Sequence, residues 1–196
     1  MNRYLDARNP KPETRNLTSH CVAVMLAAVV QLTACSYLPS YTAGEVPFVP
    51  TPPEVVSRML ELAAIKPGDV VYDVGSGDGR IVIAAAKKYG VRAVGIEIDG
   101  DLVDKARSRA RTEGVAELAE FREQDALAAD ISEATVVTIY MLPEFNYKLK
   151  PKLEALKPGA RVVCHDFPVE GWTPDHVEKS PDRTVLHTHT IYFYKR

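Results

Sequence analysis

The stretch VVYDVGSGDGR, residues 70–80, constrains the fold more than any other part of the chain. Val70 to Val74 is a short, unalternating and largely apolar run, the pattern of a strand covered on both faces by other layers. It breaks into Gly75, Gly77 and Gly79, and the residues that follow, RIVIAAAKKYG, carry helical periodicity with Gly90 as the stop signal. A strand that passes through a glycine turn straight into a helix is the first half of a βαβ unit, whose second strand lies parallel to the first. RAVGIEI supplies that strand.

The alternation continues. Asp99 to Glu113 reads as a charged amphipathic helix stopped by Gly114, AEFREQD as a third strand and ATVVTIY as a fourth. Phe145 to Leu156 reads as a helix interrupted by Pro151, and the turn KPG delivers ARVVCHD as a fifth strand. HVEK and THTIYFY read as a terminal hairpin. Before all of these, Thr51 is expected to N-cap a helix with Pro52 in its first turn and Glu54 as capping-box partner, burying Val55, Val56, Met59, Leu60 and Ala63. The prediction is an α/β fold: a doubly wound, mostly parallel seven-stranded sheet with a C-terminal antiparallel hairpin, and a ligand site at the carboxyl ends of its strands. This domain is expected over residues 51–196, after a proline-rich linker at 41–50.

Residues 1–40 have a different character. Basic residues outnumber acidic ones up to Arg15, and an uncharged run from Cys21 to Leu32 ends in Leu32-Thr33-Ala34-Cys35. Basic head, apolar middle and small residues before a cysteine are the order of a secretory signal, and the last four residues resemble a bacterial lipobox. The run is short of the roughly 20 residues that span a bilayer. The expectation is a lipidated Cys35 that tethers the domain to a membrane of the bacterial cell envelope. If the box is not used, as with a leader appended by a misplaced start, the expected location is the cytoplasm.

Composition excludes some partners. With 196 residues and a formal net charge of −2, the chain has no basic field of the kind that nucleic acid requires. Its three cysteines, Cys21, Cys35 and Cys164, match no zinc spacing and no disulfide framework. No metal is expected.

The glycine loop then defines the ligand. It is G-x-G-x-G rather than the dinucleotide fingerprint G-x-G-x-x-G, it lacks the lysine of a P-loop, and it carries Asp73 before it and Asp78 within it. Carboxylates beside a pyrophosphate repel it, so the expected ligand is a phosphate-free nucleoside with positive charge. S-adenosyl-L-methionine has these properties. Glu97, ending the second strand, can accept hydrogen bonds from ribose hydroxyls, and Asp125, after the third, from an adenine amino group.

Residues 47–172 resemble the class I S-adenosylmethionine-dependent methyltransferases, Rossmann-like in fold. They most resemble the archaeal protein-lysine methyltransferases and the mitochondrial ATP synthase c-subunit lysine methyltransferases. PFVPTPPEVVSRMLELA, GDVVYDVGSGDGRIVIAAAKKYG, AVGIEID, SEATVVTIYMLPEFNYKLKPKLEALKPGARVV and HDF carry the resemblance. It implies cofactor contacts from Asp73, from the loop residues Gly75, Ser76, Gly77, Asp78 and Gly79, and from Glu97 and Asp125. It also implies that PFVP and TIYML lie beside the transferred methyl group, and that the acceptor is a protein with an accessible lysine. Cys164 departs from the serine of many relatives and is expected to be a core residue.

Phe48 and Tyr140 are the expected lining of an apolar mouth that favours a neutral amine, with the Tyr140 hydroxyl orienting it; a core residue at a strand end is the alternative for Tyr140. His165 and Asp166 suggest a triad, but no nucleophile elbow accompanies them, so a strand-end place near the substrate mouth is expected, with Asp166 contacting substrate. His187 and His189 are expected on an exposed terminal hairpin, and Trp172 over the sheet. Two function classes stay open on sequence: a methyltransferase acting on protein lysine or a small amine, and a membrane-anchored binding or scaffold protein that keeps the fold without the reaction.

Overall fold

The structure is a computed structural model and describes residues 48–181 and 188–196. Its elements are α1 (Pro53–Leu62), β1 (Val70–Val74), α2 (Arg80–Tyr89), β2 (Arg92–Glu97), α3 (Gly100–Thr112), β3 (Ala119–Glu123), β4 (Val136–Ile139), α4 (Pro143–Glu154), β5 (Arg161–His165), β6 (His176–Pro181) and β7 (Thr188–Lys195). They form one seven-stranded sheet in the order β3-β2-β1-β4-β5-β7-β6. The first five strands in that order run parallel, while β7 is antiparallel to β5 and β6 antiparallel to β7. The expected hairpin therefore exists, and its second strand lies inside the sheet.

Alternate residues of each strand serve opposite faces. Val71 packs with Met59, Leu60, Ile81, Val82 and Val103 on the face covered by α1, α2 and α3. Tyr72 and Val74 pack on the other face with Leu149 and Leu153 of α4 and with Ile131. Both faces of β1 are covered, which is why its sequence does not alternate in polarity. Strand order reverses between β1 and β4: the chain steps outward to β2 and β3, then returns to continue on the other side. A crevice opens at the carboxyl ends where the two directions part.

Three local expectations are corrected. Thr51 does not cap α1: Pro52 is the N-cap, without a side-chain bond, and the buried Thr51 hydroxyl lies 3.2 Å from His165 Nδ1 instead. Pro151 does not interrupt its helix, which runs unbroken from Pro143 to Glu154. The residue whose carbonyl loses a partner to the missing proline N–H, Tyr147, is on the exposed face, where water can serve it. His189 is not on an exposed hairpin: β7 is paired on both edges, and the side chain is buried. His187 lies outside the described residues, as do Cys21 and Cys35. Cys164 is a buried core thiol as expected, its pKa pushed up by burial.

Candidate active site

At the carboxyl ends of β1, β2 and β4 lies a cavity of about 350 Å³, within the size range of ligand pockets. Each strand brings an acid or a ring to it. Asp73 is the fourth residue of β1, and the pleat that sends Val74 into one core turns the Asp73 carboxyl to the other side, where it is only 3% exposed. It accepts a 2.7 Å hydrogen bond from the Thr138 hydroxyl on neighbouring β4. Burial, opposed by that hydrogen bond and reinforced by the charges of Glu97 and Asp78, pushes its pKa up to about 7.

Glu97 ends β2. Its Oε2 accepts from Gly77 N at 2.8 Å and its Oε1 from the N–H groups of Ile98 and Asp99 at 2.8 and 3.1 Å. Three backbone donors thus fix a carboxylate that has about four acceptor positions, one of them still open. The Gly75 and Ser76 amides both donate to Ile96 O, folding the loop back onto β2. At Gly77, φ is +52° and an added Cβ would collide with the Phe48 ring. The bare loop is therefore covered by Phe48 from the segment before α1: the side chain missing at Gly77 makes room for that ring, and Gly77 itself does not line the cavity.

Asp78 lines the cavity but does not face it as a free charge. Arg80 grips it through two bonds of 2.9 and 2.7 Å, and Arg109 Nη1 is 3.3 Å away. Burial raises its pKa, but the Arg80 hydrogen bonds and the two guanidinium charges outweigh this and hold the carboxyl below its ordinary value. Arg80 also donates to Thr51 O at 2.8 Å, tying the loop to the residues beside Phe48. Sequence reasoning gave Arg80 no role; its place two residues after the acid of the glycine loop was the available signal.

Asp125 lies in the turn after β3, where one oxygen accepts from Leu127 N at 2.8 Å, leaving the other for a ligand. Phe48 and Tyr140 border the cavity together with Ile98, Met141 and Phe145. Gly79 is absent from the lining: it packs against Phe121 and Ala106. Asp166 and His165 also stand behind the lining rather than in it. Tyr140 connects them to it, with its ring centroid 3.8 Å from that of His165. Burial first, then the nearby Asp166 carboxylate, raise the Tyr140 pKa, so the phenol keeps its proton at neutral pH. The ligand atoms of His165, Asp166 and His189 lie within 4.8 Å of one another, a grouping that sequence reasoning did not foresee.

The cavity fits S-adenosylmethionine on its own chemistry. Five acids line it, Asp78 paired with Arg80, Asp99 capping α3 and Asp73, Glu97 and Asp125 turned to the ligand space; its floor is apolar through Ile96, Leu102 and Ala126, and Arg80, already engaged, is the one basic side chain among the described residues of the lining. Such a site favours a cationic nucleoside and offers nothing to a phosphate.

Comparison with known proteins agrees. The model of the ANTKMT methyltransferase domain matches residues 73–176, from the first of these acids to the start of β6. A protein-lysine N-methyltransferase of Saccharolobus islandicus (strain REY15A) is 47% identical over 161 residues, 81% of this chain and 96% of that protein. The ATP synthase c-subunit lysine N-methyltransferase of Homo sapiens is 39% identical over 162 residues, 82% of this chain and 69% of that one. Among solved structures, an RNA methyltransferase from Salinibacter ruber in complex with S-adenosyl-L-homocysteine is 56% identical with a TM-score of 0.69, covering 75% of this chain and 93% of that one. Since sequence match, strand order and the acids at the strand ends coincide, the chain belongs to the ANTKMT methyltransferase domain family of class I S-adenosylmethionine-dependent methyltransferases.

Proposed function

We propose that this methyltransferase modifies lysine side chains of protein. The observation that carries the reading is the aromatic and apolar mouth that Phe48, Tyr140, Met141 and Phe145 give a cavity otherwise lined by carboxylates. The Tyr140 ring brings to that mouth an oxygen that can accept a hydrogen bond. An N–H group is the complement of that surface, and an oxygen bound to the amine hydrogens leaves the nitrogen lone pair free to point elsewhere.

S-adenosylmethionine supplies a methyl carbon bonded to a positively charged sulfur. Asp73, Glu97 and Asp125 hold its polar groups at the strand ends. Phe48 and Tyr140 exclude water, and desolvation favours the neutral form of an amine whose ordinary pKa is about 10.4. The protein's remaining task is alignment, which by itself contributes much of the rate in reactions of this kind. The Saccharolobus and human relatives are both named as lysine methyltransferases, which supports the same acceptor.

RNA is the second reading, favoured by the name of the Salinibacter relative. The net charge of −2 and a cavity lip of exposed Phe48, Val49 and Ile98 weigh against it, since RNA binding rests on phosphate neutralisation. Incubating the purified chain with methyl-labelled S-adenosylmethionine and a cell extract separates the two. Label that survives ribonuclease and is released by protease is expected; label released by ribonuclease would reverse the assignment.

We also propose that Cys35 is acylated and tethers the domain to a membrane, on the strength of the lipobox-like Leu32-Thr33-Ala34-Cys35 alone. Among the described residues no helix is long and apolar enough to cross a bilayer. Cys35→Ser is expected to abolish palmitate labelling, and an intact chain beginning at Met1 in the soluble fraction would contradict the proposal.

A further inference from the structure

Behind Tyr140, the end of β5 and the start of β7 bring three donor atoms together. His165, the last residue of β5, is fully buried, His189 on β7 is buried, and Asp166 follows His165 directly. His165 Nε2 and His189 Nδ1 are 2.8 Å apart, and Asp166 Oδ2 is 3.4 Å from each. The backbone fixes this arrangement. Asp166 N donates to Thr190 O at 2.7 Å, and Asp166 Oδ1 accepts from Thr190 N at 2.8 Å. These two bonds hold Asp166 at φ +58°, a left-handed conformation uncommon outside glycine, asparagine and aspartate. Backbone strain that the surroundings over-determine in this way gathers at functional sites. The Thr51 hydroxyl lies 3.2 Å from His165 Nδ1, the ring nitrogen that takes no part in the cluster.

We propose that His165, Asp166 and His189 form a binding site for one divalent transition-metal ion, with zinc as the type. Two imidazoles and a carboxylate are a donor set of zinc and non-haem iron sites, unlike the all-oxygen sets of calcium and magnesium. The separations fit. A triangle with sides of 2.8, 3.4 and 3.4 Å admits a point about 2.1 Å from every corner, the bond length of zinc to imidazole nitrogen and to carboxylate oxygen. With such bonds, two ligands stand about 3.4 Å apart at a tetrahedral angle and about 3.0 Å apart at a right angle, so the two nitrogens need to part by only about 0.2 Å. Without metal, a contact of 2.8 Å between ring nitrogens takes one N–H and one lone pair, so one proton bridges them. The metal needs both lone pairs. The bridging proton therefore moves to the other nitrogen of its own ring, none is released, and His165 donates Nδ1–H to the Thr51 hydroxyl, an outer hydrogen bond of the kind that orients metal-bound imidazoles. Asp166 supplies the negative charge that a buried dication requires. All three residues stand outside the lining of the cofactor cavity, so the ion supports the reaction and does not perform it. It clamps β5 to β7 and fixes the His165 ring, whose centroid is 3.8 Å from that of Tyr140 in the cavity wall. Cysteine spacing, which led to an expectation of no metal, does not bear on donors that β7 assembles from imidazoles and a carboxylate. The site is also independent of what accepts the methyl group.

The test uses the full chain, stripped of metal with a chelator that is then removed, with zinc ions as the probe and magnesium ions as the control. Calorimetry is expected to show saturable binding of zinc and none of magnesium, and zinc at a hundredfold excess over its Kd should raise the melting temperature by about 5 to 10 °C. His189→Gln and Asp166→Asn, with folding checked by binding of S-adenosylhomocysteine, are expected to weaken zinc binding at least about tenfold, since changes even to outer-shell partners reach that scale. A second measurement needs no variant: in ¹⁵N spectra of the wild-type imidazole rings, zinc should shift His165 Nε2 and His189 Nδ1 and leave His176 in place. Absence of saturable zinc binding, an equal response to magnesium, or folded variants that bind zinc as the wild type does would each overturn the proposal. So would zinc binding that leaves the His165 and His189 resonances unmoved, which would put the ion on other donors of the chain.

Discussion

Asp73 carries the strongest electrostatic tension at the site. It is buried, bonded to one hydroxyl, and set near two other carboxylates, so the folded apo protein holds its proton up to about pH 7, whereas the unfolded chain releases it near pH 4. Between these values the folded state binds more protons than the unfolded one. Stability therefore falls as pH rises through that window and levels off above it. Asp73→Asn, which keeps an oxygen for Thr138, is expected to raise apo stability at pH 8 by about 1 to 3 kcal/mol and to flatten the dependence from pH 4 to 7, as read by urea unfolding. The same variant is expected to weaken S-adenosylmethionine binding at least about tenfold, because the charge that strains the empty site is the one its cation requires. A variant that lost stability at pH 8 would show that the buried carboxylate is better compensated than its surroundings indicate.

At the scale of elements, the glycine loop has two functions that its sequence does not separate. Gly75 and Ser76 border the cavity, while Gly79 sits where α2 starts against β3 and α3, with φ +77° and its would-be Cβ 2.6 Å from Phe121 and 2.8 Å from the Ala106 Cβ. Gly79→Ala is expected to cost about 2 to 4 kcal/mol in denaturant unfolding through backbone strain and overpacking, with the loop chemistry untouched. The strands and helices were legible because their periodicities follow from which face each element buries. What was not legible depended on partners distant in the chain. Thr51-Pro52-Pro53-Glu54 has the local form of a capping box, yet the Thr51 hydroxyl goes to His165, 114 residues away. THTIYFY reads as one strand of an exposed terminal hairpin, but pairing β7 between β5 and β6 buries His189 against His165. Asp73, Glu97 and Asp125 were readable because each follows a strand whose end the topology fixes. The grip of Arg80 and Arg109 on Asp78 was not, since Arg109 reaches it from the far end of α3.

Taken whole, the molecule combines a topological switch point that gathers three acids with an aromatic wall backed by polar groups. The acids account for a cationic, phosphate-free nucleoside, and the wall for an amine that must arrive or become neutral. A chain with net charge −2 and an apolar lip around the cavity suits a protein surface better than a polyanion. The most direct test locates the transferred group. The full chain, given S-adenosylmethionine with a deuterated methyl and a mixture of lysine-containing peptides and RNA, is expected to place the label on lysine Nζ, read by tandem mass spectrometry. Tyr140→Phe should lower that yield with cofactor binding unchanged. Label on an RNA base, with none on lysine, would contradict the account.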